Sequence, residues 1–427
     1  MKIKSVVCFG PGPVFKGGLS NYNTSLAQTL HEHRQVKVHI ISWTEQYPSI
    51  IPRKFKDTVS KNHFLDDTQI EISYLTNFNN PFSWSKTAHA IQKIDPDIVI
   101  IQWSIALQGL PLGFIARKIK AICKAKIVFD LHFVFQKEQS MLDRFLTKFA
   151  LRHGHAFIVH AFKTFRELHD IFPSLPFELI LPENRHSVKT NSIPVLKLFH
   201  PVYKLYYPDP SFDTNSFKKE LGLQGFVFLF FGFIRKYKGL HHTIEAFAGV
   251  LKERKDASLL IVGEAFWDTL NERLWVARIK KFLFRVAGKV LLKESDDETE
   301  YRPLELIHQY GIDDYVSQKI AFIPNEDVHK YFQVSDAIVL YYTTATPSGV
   351  ESLAYNFQLP ILATRVGHFP ETVKEGYSGY LAEAGDIESM KNAMIKMMET
   401  PIDRSNIIST ADSMSWEKYV DAILKHF

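Results

Sequence analysis

Short, almost wholly apolar runs recur along this chain, and a stretch with helical spacing follows most of them. "KSVVCFG", "VKVHIISW", "DPDIVIIQW", "AKIVFDLH" and "HAFIVHA" come in the first part. Between them, "LSNYNTSLAQTLHEH" puts Leu19, Tyr22, Leu26 and Leu30 on one side, and "GFIARKIKAIC" is helical. Parallel strands buried on both faces read as continuous apolar runs, and each needs a helical crossover to the next. The alternation therefore predicts a parallel sheet covered on both faces by helices.

The pattern restarts after "LKLFHPVYKLYYPDP". "FVFLFFGFI" and "ASLLIVGE" read as strands around the helix "GLHHTIEAFAGVLKER". "YVSQKIAFIP", "NEDVHKYFQVS", "DAIVLYYT", "VESLAYNFQ", "LPILATRVG" and "IESMKNAMIKMMET" continue the alternation. A chain of 427 residues exceeds one ordinary core, so two doubly wound α/β units are expected. The proline-rich segment 182–210, which lacks a regular period, reads as the linker between them. The first unit is expected to span 1–200 and the second 201–412, and residues 413–427 form a final helix.

Composition excludes some functions. Cys8 and Cys123 are the only cysteines, which rules out a disulfide framework and fits a reducing compartment. No cysteine/histidine spacing suits zinc and no loop suits calcium, so no metal is expected. No apolar run reaches the roughly 18–20 residues that span a bilayer. "MKIKSVVCFG" lacks the long apolar region of a signal peptide and reads as a buried first strand. A net charge of +5 is a weak bias toward anionic partners.

Three loops between a strand and a helix carry candidate chemistry. "GPGPVFKGGLSNY", residues 10–22, contains Gly17 and Gly18, which let a ligand approach the backbone near free helix-start N–H groups. Pro13 breaks the dinucleotide G-x-G-x-x-G spacing, and a plain flexible loop is the alternative reading. "FFGFIRKYKGL", residues 230–240, brings Arg235 and Lys238 to the carboxyl end of a buried strand. Two cations there suit a diphosphate, and a solvated basic loop is the alternative. "TTATPSGVESLAYNFQLPIL", residues 343–362, starts a helix near Ser348, with Gly349 and Val350 offering N–H groups. Glu351 sits in its first turn, either as a ligand group or as an acid that stabilises the helix dipole.

In their order these segments resemble the retaining glycosyltransferases of family 4, which have the GT-B fold. The likeness spans nearly the whole chain and is strongest over 225–385. It implies two Rossmann-like parallel-sheet domains facing a central cleft. "FKGGLSNYNTSLAQTL" looks like the family's glycine-rich loop, "FGFIRKYKGLHHTIEAF" like its phosphate loop, and "IVFDLH" ends in His132 where the family has its active-site histidine. "LFHPVY" resembles the interdomain segment, and "SWEKYVDAILKHF" the helix that crosses back to the first domain. The resemblance implies that a nucleotide-diphosphate sugar donates its sugar, with retention, to a glycan or lipid-linked acceptor. Surface polysaccharide or glycolipid biosynthesis is the implied setting, with no nucleic-acid partner and no cofactor beyond the donor. Gly17 and Gly18 would lie against donor and acceptor, His132 would face the transferred sugar, and Arg235 and Lys238 would neutralise the leaving diphosphate. Ser348, Gly349 and Val350 would hold phosphate or sugar. Glu351 would take the ribose diol, since a carboxylate accepts two hydrogen bonds.

Two positions depart from the family pattern. Phe233 stands where the phosphate loop often has arginine, and Thr343 where an acid usually contacts the donor sugar. A sugar with fewer polar contacts there, or an acidic one, fits a neutral Thr343. An epimerase or hydrolase of the same fold, or a non-catalytic GT-B protein, are the alternatives. Residues 274–293, "LWVARIKKFLFRVAGKVLLK", gather Arg278, Lys281, Arg285 and Lys289 beside an apolar stripe. That stretch is expected to be a helix lying on an anionic membrane, or one packed on the second domain. The protein is expected in the cytoplasm, with a peripheral seat on the inner face of the membrane.

Overall fold

The computed structural model describes residues 3–49, 55–61, 64–65, 68–134, 140–183, 191–203, 205–265, 301–345 and 349–427. It contains two parallel sheets. The first takes eight strands: β1 (Ser5–Phe9), β2 (Lys37–Glu45), β3 (Glu71–Asn77), β4 (Ile98–Trp103), β5 (Lys126–Leu131), β6 (Ala156–Val159), β7 (Phe177–Ile180) and β8 (Ile193–Lys197). Their order across the sheet is β3-β2-β1-β4-β5-β6-β8-β7. The second takes six: β9 (Phe226–Phe231), β10 (Ala257–Val262), β11 (Val316–Lys319), β12 (Ala337–Leu340), β13 (Ile361–Thr364) and β14 (Gly379–Ala382), ordered β11-β10-β9-β12-β13-β14. Every pairing is parallel. All of β4 and all of β10 are buried, as strands covered on both faces must be.

Two features differ from the expected layout. The segment read as a linker over 182–210 contains β8, inserted between β6 and β7. Pro194 hides it, because proline breaks the period-two signal without preventing a parallel strand at that place. The edge strand β3, "EISYLTN", is only partly buried, so its polar residues mask it in the sequence, whereas the other partly buried edge strand, β11, lies within "YVSQKIAFIP", a stretch of the expected alternation.

Strand order decides where a ligand can sit. The chain starts mid-sheet at β1, moves out to β3, then returns to β4 on the other side of β1. The second sheet does the same from β9 out to β11 and back to β12. At such a switch point the loops leaving neighbouring strands diverge and open a crevice at the carboxyl edge. The loop after β1 leads into α1 (Gly18–Arg34), and the loop after β9 leads into the helix Leu240–Glu253. After β12 comes the helix Gly349–Asn356. The final helix, Trp416–His426, packs back on α1: Trp416 lies 5.0 Å from the Tyr22 ring, and Arg34 pairs with Asp421 at 2.5 Å.

Candidate functional site

The two switch points face one another across a cavity of about 360 Å³. One wall comes from Phe15–Gly18, Asn21, Asp57, Tyr203 and Tyr206, and the other from Phe231–Phe233, Tyr237, Lys238, Gly263, Glu264, Ala321–Ile323, Gly349, Val350 and Leu353.

Glycines set its closeness. Gly17 holds φ at 103°, a conformation that side chains rarely adopt, and it turns the chain into α1. The start of α1 and the start of the 349–356 helix nearly touch: a Cβ on Gly18 would lie 3.9 Å from the Gly349 Cα. Tyr203 wedges between them. Its hydroxyl donates to the Gly18 carbonyl at 2.7 Å, and a Cβ on Gly349 would meet its ring at 2.8 Å. The first N–H groups of both helices lack intrahelical acceptors and sit on this rim, where they favour an anion.

Lys238 is the cation of the second wall. It is buried beside Gly232, where a Cβ would come within 3.1 Å of its Nζ. Burial, helped by the nearby Arg235 charge, pushes its ammonium down to about 8. It therefore stays mainly charged at neutral pH while lacking a full hydration shell, which suits it to a phosphate. Arg235 does not border the cavity; its guanidinium lies over the Tyr237 ring at 5.9 Å. Arg235 is in extended backbone, and the turn Lys236–Lys238 that follows brings Lys238 to the wall. Phe233 takes the wall position instead. Lys16, which the sequence reading did not single out, supplies a cation from the first wall, 4.1 Å from the Phe322 ring centroid and 3.9 Å from Glu264. The clue was its place directly before Gly17.

Glu351 requires a correction. It is buried and absent from the cavity wall, and its Oε2 lies 2.5 Å from His368 Nε2. The reason is helical geometry: two residues along a helix turn about 200°. Val350 and Leu353 therefore face the ligand space, while Glu351 and Ser352 face inward, Ser352 toward His200 at 2.8 Å. Leu353, an apolar group, occupies the wall where a carboxylate was expected. Glu351 Oε1 and His368 Nδ1 are buried without a hydrogen-bond partner among the described residues. Thr343 bonds to the Tyr237 carbonyl through both its N–H, 2.8 Å, and its hydroxyl, 3.3 Å, so it holds the 235–239 turn against β12. Ser348 lies outside the described residues, as does the whole of 274–293.

His132 belongs to a second, buried group. It caps β5 and bonds Gln102 at 2.8 Å, with its ring edge-on to Tyr22 at 4.7 Å and stacked on His160 at 5.3 Å. Burial pushes its imidazole down to about 4 against the pull of Asp130. Burial would raise the Asp130 carboxyl, but His160, at 2.7 Å, and the Tyr22 hydroxyl, at 2.8 Å, hold it below its ordinary value. Tyr419 and His200 complete the cluster, and burial keeps His200 well below the usual histidine range. Asp130, His132 and His160 have ligand atoms within 4.8 Å of one another, a metal-like spacing that the sequence did not reveal. Both Asp130 oxygens are already engaged by His160 and Tyr22, so the trio fits as a hydrogen-bonded unit.

Residues 211–414 match the family described as glycosyl transferases group 1. The group 1 pattern thus covers the second half of the chain, including the Lys238 loop and the 349–356 helix. D-inositol 3-phosphate glycosyltransferase of Thermobifida fusca is 33% identical over 101 residues, which cover 20% of this chain and 23% of that protein. N-acetyl-alpha-D-glucosaminyl L-malate synthase of Bacillus anthracis is 24% identical over 211 residues, 48% of this chain and 45% of that one. The chain thus spans less than half the length of each of these curated relatives. Among solved structures, HepE of Anabaena in complex with UDP and glucose superposes with a TM-score of 0.67 at 15% identity, covering 99% of this chain and all of that one. Sucrose-phosphate synthase of Thermosynechococcus elongatus gives 0.63 at 15% identity, covering 99% and 97%. The likeness is one of fold: both domains are Rossmann-like, arranged as in these GT-B glycosyltransferase structures.

Proposed function

We propose that the protein is a retaining, hexosyl-type glycosyltransferase that uses a nucleotide-diphosphate sugar, with the donor in the cavity between the domains. The observation that carries the reading is the convergence of Lys238 with two helix starts, at Gly18 and Gly349, on one cavity at both switch points. The group 1 match over the segment that contributes Lys238 supports it, as does HepE, whose structure holds UDP and glucose in the same fold.

In this mechanism charge grows on the departing phosphate. Lys238 and the helix-start N–H groups meet it already oriented, the arrangement that most lowers such barriers. Lys16 and Glu264 close the donor space from both walls. His132 keeps the role that the resemblance implies, facing the transferred sugar from the first domain, although its ring sits in the buried cluster and off the described cavity wall. Retention asks for same-face attack by the acceptor, so no protein nucleophile is assigned. The acceptor is a glycan or lipid-linked sugar of a surface polysaccharide or glycolipid pathway, met on the cytoplasmic face of the membrane. The domain limits 1–200 and 201–412, with 413–427 returning to the first, are those of this reading.

The test is a panel of UDP-, GDP-, ADP- and TDP-sugars scored by thermal shift, followed by product analysis with cell-extract acceptors. One nucleotide class should raise the melting temperature, since ligand at 100 times Kd adds about 2.7 kcal/mol. Release of free sugar or an epimer alone would favour a hydrolase or epimerase, and binding without turnover a non-catalytic protein.

A further inference from the structure

The helical layer of the first domain carries an unusual surface. Three of its helices are α2 (Pro81–Ile94), α3 (Gly109–Ile122) and α4 (Met141–Leu151). Large apolar side chains lie open to solvent on α3 and α4: Leu110 is 47% exposed, Phe114 39%, Met141 90%, Leu142 39% and Phe145 62%. Contiguous exposed groups of this size mark interaction sites. The two helices run side by side in close contact. A Cβ on Gly109 would lie 2.5 Å from the Leu146 carbonyl, and one on Gly113 2.5 Å from the Phe149 ring. Residue 109 meets 146 and residue 113 meets 149, so the helices are parallel and staggered, with the amino-terminal half of α3 beside the carboxyl-terminal half of α4. The five apolar groups run from Met141 at the start of α4 to Phe114 on α3 and form the amino-terminal tip of the pair.

The carboxyl-terminal halves are basic. Arg117, Lys120, Lys148 and Arg152 are exposed there, and Arg144 is exposed on α4. α2, α3 and α4 contain one acid between them, Asp143, which is engaged in the capping box with Ser140. The face is therefore an apolar tip into which a band of positive charge reaches, from Arg144 and Lys148 among the apolar groups to Arg117, Lys120 and Arg152 behind them. A net charge of only +5 for the whole chain makes this one-sign face a local feature.

The geometry points to the α3–α4 face as a docking surface for an anionic phospholipid bilayer, with the apolar tip entering the interface and the basic band meeting the headgroups. Charge complementarity selects this occupant. A second copy docked by a twofold axis would press like charges together. Apolar groups beside basic ones bind anionic membranes through burial in the interface and attraction to the headgroups. Position adds to the argument. α4 follows His132 at the end of β5, and α3 follows Trp103 at the end of β4, so the tip lies on the carboxyl edge of the sheet, the edge that faces the cleft. A bilayer seated there would hold a lipid-linked acceptor at the cleft mouth. That last clause rests on the proposed transfer reaction; the docking itself does not.

The experiment is flotation of the full chain with vesicles of equal parts phosphatidylglycerol and phosphatidylcholine, against phosphatidylcholine alone. The protein should float with the anionic vesicles and stay behind with the neutral ones. Raising salt from about 0.1 M to about 1 M shortens the screening length from ~10 Å to ~3 Å and should release much of it. Arg117→Glu/Lys148→Glu/Arg152→Glu should lower the partition coefficient about 100-fold, and Phe114→Ser and Phe145→Ser about tenfold each. Unchanged melting temperature and nucleotide binding in these exposed-site variants would show that they fold. No flotation of the parent protein overturns the proposal. So does equal flotation of parent and variants, or loss of binding only when Arg278, Lys281 and Arg285 become Glu. A dimer by light scattering that Phe145→Ser dissociates would assign the face to a second copy instead. A failed nucleotide panel with intact flotation would sink the enzyme reading and leave the surface standing.

Discussion

The two sides of the cleft handle polar chemistry in opposite ways. The first domain buries His132, His160 and Asp130 in a closed network with Tyr22 and Tyr419, in which His132 is neutral at physiological pH. The second domain sets its cation, the buried Lys238, into an open cavity wall between glycines, where burial holds its ammonium near 8. A closed network positions groups and costs stability if one member is lost. An open cationic wall binds charge and is nearly free of structural duty. The contrast predicts that substitutions on the first side act through stability and those on the second through ligand.

The strongest test removes the anchor of the closed network. Asp130→Ala leaves His160 and two tyrosine hydroxyls without their buried acceptor and should cost about 3–5 kcal/mol in urea unfolding, the usual range for breaking a buried pair. A loss below about 1 kcal/mol would mean the network does not hold the domain.

Acid should act in the same direction. His132 is held near 4, below its ordinary value of about 6.5, so the unfolded chain binds more protons between those values. Stability should therefore rise as pH rises from about 4 to 6.5 and level off above, with His132 alone contributing about 3 kcal/mol and His200 adding in the same sense. His132→Gln should flatten that slope. A slope unchanged in the variant would place the responsible histidines elsewhere.

On the open wall, Lys238→Met should leave the urea midpoint within experimental spread. It should weaken binding of the best nucleoside diphosphate by about 10- to 150-fold, the equivalent of 1.5–3 kcal/mol for a charged hydrogen bond. Arg235→Met should do much less, since Arg235 lies off the cavity. Equal losses from both would return Arg235 to the ligand.

A smaller effect is expected at the contact between the sides. Gly349→Ala presses a methyl onto Tyr203 at 2.8 Å and should cost about 1–3 kcal/mol by overpacking, with Tyr203→Ala restoring part of it. The smallest expected effect on ligand is that of Glu351→Gln. Isothermal titration should give a nucleotide affinity within about a factor of two of the parent, because the carboxylate faces His368 and not the cavity. A tenfold loss would reverse that assignment.

Much was legible in the residues themselves. Continuous apolar runs separated by helical spacing imply parallel strands buried on both faces, and both sheets follow from that rule. Gly17 is readable too, since the turn into α1 needs a φ that glycine adopts freely. So is the Gly232-to-Lys238 loop, because it follows a strand that is apolar at every position. Less legible were β3 and β8, whose polar or proline-bearing sequences carry weak strand signals. A parallel strand is stabilised by neighbours that lie far away in the chain.

Direction was decided only by the folded chain. Local sequence determines that a helix begins near Gly349, but whether Glu351 or Leu353 meets the ligand depends on the rotation of that helix against β12 and His200, which no local pattern encodes. Arg235 and Lys238 are equal cations in the sequence; one short turn sends the first onto Tyr237 and the second into the cavity. Asp130, His132, His160 and His200 arrive from three strand ends and only the sheet order brings them around Tyr22. Sequence periodicity reports burial, a property of each segment. Facing and proximity belong to pairs of segments, and those are fixed when the sheets assemble.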